Sequence, residues 1–186
     1  PTRRSSDLAA MISSAGISRG SLKYLADTGR LDQVSRGVYT LPEVWEDEFV
    51  SIQERYKRGV FALDTALFLH DLTDRTPHKF HMAFPYGYNT SSPKAAGILC
   101  SCKKEPYYSL GIALVDTPAG NTVRAYNAEK TLCEILKPIS HTDIQIITDA
   151  FKRYAGRKDK NIPLLSEYAH QLRVEKRLRP YLEVLL

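Results

Sequence analysis

Residues 17–39, ISRGSLKYLADTGRLDQVSRGVY, constrain this chain more than any other stretch. Ser18 is placed to cap a helix, because its hydroxyl can accept from the backbone N–H groups that a helix start leaves unbonded. Leu22, Leu25 and Ala26 then fall on one face at helical spacing. Gly20, Lys23, Tyr24 and Asp27 fall on the opposite face, with Arg19 beside them. Gly29 ends the helix, since glycine takes the left-handed conformation without strain. A hairpin is predicted next, with Leu31 and Val34 on the outgoing strand and Ser35-Arg36-Gly37 as the turn. Residues 38–41 return, and Pro42 stops the strand.

Residues 7–15 (DLAAMISSA) predict an earlier helix, capped by Ser5 or Ser6, with Leu8, Met11 and Ile12 facing inward. Gly16 breaks it and Ile17 fills the turn. Helix, tight turn, helix and hairpin follow one another in the order of a winged helix-turn-helix. A plain amphipathic subdomain would account for the leucine spacing but not for the outer face of the second helix. There small residues, Gly20 and Ser21, meet Arg19 and Lys23, the composition of a helix that enters a DNA groove. The expected DNA-contacting set is Arg3, Arg4, Ser18, Arg19, Ser21, Lys23, Tyr24 and Arg36, the last on the wing tip. Such a domain normally packs three helices ahead of its wing. With two here and Pro1 at the start, the first helix is expected to be missing from this chain.

The remainder divides by composition. Residues 1–42 are the expected DNA-binding domain. Residues 43–58 open acidic (EVWEDE) and continue into a bridging helix with Phe49, Ile52 and Tyr56 at helical spacing. Residues 59–186 form the second domain. Residues 61–70 (FALDTALFLH) predict a buried helix, residues 79–85 an alternating strand with Phe80, Met82 and Phe84 on one side, and residues 86–93 a loop. Strands are predicted over 98–102, 110–116 and 122–126, the last two joined at Ala119-Gly120-Asn121. The chain then turns helical, over 128–136 behind Asn127, 143–154 behind Thr142, and around 163–172 and 175–185. Strands before helices point to an α+β domain with a small sheet and a helical C-terminal part.

Chemistry is sparse. A net charge of +5 over 186 residues permits a polyanionic partner without requiring one. The chain carries neither a Gly-rich phosphate loop nor a G-x-G-x-x-G run, and no Gly-Ser followed by paired aspartates. His78-x-x-His81, near Asp64, Asp71 and Asp74, reads as turn chemistry, because strand positions three apart face opposite sides. Cys100-x-Cys102 reads as two thiols on a strand, and three cysteines make no disulfide framework. No catalytic residue, metal or cofactor is expected. Without a secretory signal or an apolar run of membrane length, a cytoplasmic protein with no membrane partner is expected. A second basic zone, with Arg153, Arg157, Lys158, Lys160, Arg173, Lys176 and Arg177, reads either as solvated helix faces or as a surface for nucleic acid or an acidic partner.

An ordered set of residues along nearly the whole chain resembles the AbiEi antitoxins of bacterial type IV toxin–antitoxin and abortive-infection (phage-resistance) operons. It includes Leu25, Gly29, Leu31 and Val34, then Arg36-Gly37-Val38-Tyr39 with Pro42. It runs on through Arg55-Tyr56, Gly59-Val60-Phe61, Asp64-Thr65-Ala66-Leu67, Leu72-Thr73-Asp74, Thr76-Pro77 and Phe84-Pro85. Towards the end it takes in Glu129-Lys130-Thr131, Arg153-Tyr154, Lys158-Asp159-Lys160-Asn161 and the terminal YLEVLL. Lys130 stands where an arginine is more usual. The resemblance implies a winged helix that represses its own operon by binding double-stranded operator DNA, usually at inverted repeats. It also implies a C-terminal domain that counteracts a co-encoded nucleotidyltransferase-like toxin without a stable complex. On the residues alone, a nucleic-acid-processing enzyme and a ligand-sensing regulator built on the same winged helix stay open.

Overall fold

The computed structural model describes residues 32–35, 38–40 and 47–185. Packing separates two units. One holds an N-terminal hairpin, a helix and the loop Thr117–Thr122; the other comprises Arg58–Asp116 and Val123–Leu186.

In the first unit, strands β1 (Asp32–Ser35) and β2 (Val38–Thr40) pair antiparallel, with Asp32 opposite Thr40, Gln33 opposite Tyr39 and Ser35 opposite Val38. The register shifts between Gln33 and Ser35. This is the hairpin that the Ser35-Arg36-Gly37 turn predicts. Helix α1 (Glu48–Arg55) begins behind Asp47, whose Oδ1 accepts from the backbone N–H groups of Phe49 at 3.0 Å and Val50 at 3.4 Å. The other carboxylate oxygen accepts from the Thr117 hydroxyl and from Asn121 Nδ2 at 3.0 Å. One residue of the acidic stretch therefore caps a helix and holds a loop 70 residues away in sequence.

The second unit is built on a mixed sheet of order β5-β4-β3-β7-β6, made of β3 (Val60–Phe61), β4 (His81–Pro85), β5 (Leu99–Lys103), β6 (Ile112–Asp116) and β7 (Thr122–Tyr126). β4 runs antiparallel to β3 and parallel to β5, and β3 runs parallel to β7. Two expectations fail here. Val60 and Phe61 are strand, and only Leu63–Leu69 is helical (α2), so the predicted helix over 61–70 loses its first two residues. Residues 86–93 are not all loop, because α3 (Ser91–Ala95) starts inside them. Pro93 does not prevent this, since the first turn of a helix needs no backbone N–H from it. In β4 the three central residues Met82, Ala83 and Phe84 are all buried, so this strand is covered on both faces.

Helices α4 (Ala128–Ile135), α5 (Ile144–Ala155), α6 (Ile162–Leu172) and α7 (Glu175–Leu185) follow, with a short 3-10 turn at Pro138–Ser140. Asn127 caps α4 as predicted, its Oδ1 accepting from Lys130 N at 2.9 Å. The cap of α5 is Asp143 rather than Thr142, its carboxylate accepting from Gln145 N at 2.7 Å. Leu132, Cys133 and Ile135 of α4 share one core with Leu67, Leu72, Phe151, Tyr154, Leu165, Leu172 and Leu178. Each fully buried leucine in it contributes roughly 1.5–3 kcal/mol relative to exposure. A second, smaller core joins Val60, Ala62, Ala83 and Tyr126 on the sheet. The described residues form a mixed α+β protein with a five-stranded sheet and seven helices, the fold class expected.

Candidate functional site

The expected DNA-contacting residues Arg3, Arg4, Ser18, Arg19, Ser21, Lys23, Tyr24 and Arg36 lie outside the described residues, as does the predicted helix pair. The β1–β2 hairpin that would carry Arg36 is described on both sides of its turn.

The second basic zone is described in full, and it divides. Arg157 holds the structure together: its Nη1 donates to the carbonyl of His70 at 2.8 Å, and its Nε and Nη2 donate to the two oxygens of Asp159 at 2.9 and 2.7 Å. That paired geometry holds the Asp159 carboxyl down at about 2. Lys160 donates to the carbonyl of Ala155 at 2.8 Å and Arg177 to that of Leu136 at 3.1 Å. Arg153 lies 3.3 Å from Asp74. Lys158, Arg173 and Lys176 are exposed. Arg173 closes α6 in the left-handed conformation, at φ +57°, where glycine is the usual choice. The zone is thus a set of helix and loop ties with three cations standing outside them.

A different cluster of charges escapes the sequence reading. All eight residues of α4 are buried, although Glu129, Lys130 and Glu134 are among them. Burying a charge is costly unless it is paired and hydrogen-bonded. Each of the three has a partner. Glu129 accepts from the Tyr154 hydroxyl at 2.8 Å, and that hydroxyl oxygen accepts in turn from Asn161 N at 2.8 Å. Lys130 donates to the carbonyl of Tyr107 at 2.9 Å and lies 4.8 Å from the centre of the Tyr126 ring. Glu134 takes Lys130 at 3.5 Å, one turn along the helix, and accepts from Lys103 on β5, all on its Oε1. Its Oε2 is buried without a hydrogen-bond partner.

Burial drives the Lys130 ammonium down to about 8, with Lys103 and Lys137 pushing the same way and Glu134 opposing them. Burial likewise lowers Lys137 and raises Tyr126 and the Cys133 thiol, the last to about 12. Gly111 makes room for this arrangement. It sits at φ +71°, and a Cβ there would come within 2.8 Å of Lys130 Cβ and 3.0 Å of Asn127 Oδ1. Sequence offers little signal for this cluster, because Lys130, Glu134 and Lys137 recur at i, i+4 and i+7 like the polar face of a surface helix.

His78 is exposed, whereas His81 Nδ1 lies 3.9 Å from Asp64 without a hydrogen bond of its own. Cys100 and Cys102 both sit on β5, the first half-buried and the second exposed. Among the described residues no three His, Cys, Asp or Glu side chains converge to hold a metal ion, and no helix is long and apolar enough to cross a membrane.

Comparison with known proteins gives two findings. The chain is similar in structure to the RV2827C protein from Mycobacterium tuberculosis, with a TM-score of 0.53 at 15% identity, over 96% of this chain and 74% of that one. At that identity the likeness concerns the fold alone. No curated protein matches the sequence. A family model, described as a transcriptional regulator of the AbiEi antitoxin type, matches residues 4–42, the stretch in which the sequence places its reading head. That match makes residues 4–42 similar to the AbiEi antitoxin transcriptional regulators and supports a regulatory, antitoxin-type role.

Proposed function

We propose that the protein is a transcriptional autorepressor and antitoxin of an abortive-infection operon, and not an enzyme. Residues 1–42 would bind double-stranded operator DNA at inverted repeats. Residues 59–186 would counteract a nucleotidyltransferase-like toxin encoded beside it, without a lasting complex. The observation that carries this reading is the family match over residues 4–42, which coincides with the helix-turn-helix and wing pattern. The hairpin of β1 and β2 agrees with a wing.

The test is operator binding, measured by fluorescence anisotropy with the upstream region and with a scrambled duplex. Lys23→Ala should weaken operator binding by about 1–3 kcal/mol if Lys23 reads a base edge, and should weaken both duplexes alike if it meets phosphate. Five cations, Arg3, Arg4, Arg19, Lys23 and Arg36, imply a log–log salt slope of about −4.5. Arg36→Ala should flatten that slope by about one unit. Both variants should still relieve the toxin in cells. Equal, unsaturable binding to both duplexes by the unaltered protein would remove the repressor reading.

A further inference from the structure

The charges around Glu134 do not balance. Three ammonium groups, those of Lys103, Lys130 and Lys137, act on one carboxylate, that of Glu134. With the buried Glu129 carboxylate counted as well, one positive charge is left over in a partly dehydrated place, where repulsion between like charges is weakly screened. The Lys103 side chain is 17% exposed and that of Lys130 is fully buried. Lys137 is half-buried, so the excess charge opens to the surface there. Beside it stands an aromatic ring: Lys137 Nζ lies 6.0 Å from the centre of the Tyr107 ring, and Tyr107 is 40% exposed. The carbonyl of the same Tyr107 holds Lys130 at 2.9 Å. The accessible Tyr107 ring and Lys137 thus stand beside the lysines at Glu134.

The geometry points to a binding site for a nucleoside phosphate, with the phosphate on Lys103 and Lys137 over the Lys130–Glu134 floor and the base against the Tyr107 ring. A phosphate group carries up to two negative charges and several acceptor oxygens, which suit neighbouring ammonium groups that outnumber their carboxylates. Lysine meets it as a point charge, and a base can stack on tyrosine whatever its sequence. Burial, and after it the crowding of like charges, holds the Lys130 and Lys137 ammonium groups below their ordinary range. An anion would relieve the second of these causes. Every residue involved belongs to Arg58–Asp116 or Val123–Leu186, and the inference stands apart from the DNA-reading head.

Titration calorimetry on the full chain at low ionic strength tests the site, with GTP, ATP, AMP and inorganic pyrophosphate as probes. Saturable binding of at least one nucleotide is expected. Lys137→Gln should weaken it about tenfold or more, the loss of one charge-assisted contact, and Lys137→Arg should restore most of it. Tyr107→Leu leaves the carbonyl that holds Lys130 in place. It should weaken the nucleotides about fivefold or more while leaving pyrophosphate unchanged. Lys158→Gln, an exposed change elsewhere, should do nothing. The proposal fails if no probe binds below 5 mM, at about the weakest affinity worth assigning to a site. It fails equally if Lys158→Gln costs as much as Lys137→Gln, which would mean diffuse surface attraction. If Tyr107→Leu weakens nucleotides and pyrophosphate alike or neither, the base has no place at the ring and the nucleoside part is wrong.

Discussion

The charges of α4 and those of the α5–α7 zone are similar in kind and opposite in what they do. Lys130 and Glu134 are enclosed, at 0% and 2% exposure, and partner each other one turn apart. Arg153 and Asp74 form a pair of similar length at 3.3 Å, but both are well exposed. An exposed pair is worth about 0–1 kcal/mol. Breaking a buried pair by removing one partner costs about 3–5 kcal/mol, because the survivor is left charged and dry. The difference lies in the solvent around each pair rather than in its distance.

Glu134→Ala should break the comparison most strongly. It strands Lys103 and Lys130 together and should destabilise the protein by about 3–5 kcal/mol, read from the midpoint of urea unfolding at constant slope. Replacing both members, Lys130→Met with Glu134→Leu, should recover much of that loss. Equal losses in the single and double variants would mean that the pair itself, rather than the stranded charge, governs stability. The same cluster predicts a pH dependence. The folded-state value for Lys130 is about 8, below its ordinary 10.5. Between those values the unfolded chain binds more protons, so this residue's contribution to stability rises with pH through that window. The stability of the unaltered protein minus that of Lys130→Met should therefore increase from pH 8 to pH 10. A flat difference would place Lys130 outside the buried cluster.

Arg157 lies between the extremes. It is partly exposed, yet it joins the carbonyl that ends α2 to the loop between α5 and α6. Arg157→Ala should cost about 1 kcal/mol, mainly from the hydrogen bond to His70, whereas Lys158→Gln should stay within about 0.5 kcal/mol. The paired Asp159 also leaves a trace in acid. Its carboxyl is held at about 2, so its contribution is present above the ordinary carboxylate range and is lost as pH falls towards 2. In Arg157→Ala that part of the acid limb should vanish. Should the two substitutions prove equal in urea and acid, Arg157 is surface like its neighbour.

What the sequence made legible follows the same division between local and non-local causes. Asn127 as a cap, the strand at 122–126, the strand expected over 110–116 and found at 112–116, and the four C-terminal helices all rest on signals within a few residues. The cap of α5 shifted by one residue because Thr142 and Asp143 are both competent caps and only the backbone decides between them. Phe61 read as helix because a two-residue central strand leaves no alternation to detect, its form being set by β4 and β7 on either side. Phe80, Met82 and Phe84 do alternate, but burial does not, since Ala83 is as buried as its neighbours. The α4 cluster was the hardest to see. A lysine four residues before a glutamate reads as an ordinary surface pair, and Lys103 and Tyr107 approach it only after the sheet is formed.

On the exposed side, Arg173 has a small effect to measure. Arg173 belongs to the basic zone by charge, yet its backbone holds it at φ +57° to let α6 turn into α7. Its own N–H donates to the carbonyl of His170 at 3.1 Å, and Val174 N donates to that of Ala169 at 2.9 Å. Those two bonds close the helix and require only the left-handed conformation, not the guanidinium. For a non-glycine residue that conformation costs about 1 kcal/mol. Glycine adopts it freely but loses more chain entropy on folding, which offsets part of the gain. Arg173→Gly should therefore stabilise the protein slightly, by about 0.5 kcal/mol, and leave operator affinity and its salt slope unchanged. A loss of stability would show that the arginine side chain contributes through contacts of its own. A flatter salt slope would show that this exposed cation touches DNA, and the zone would then be more than solvated helix ends.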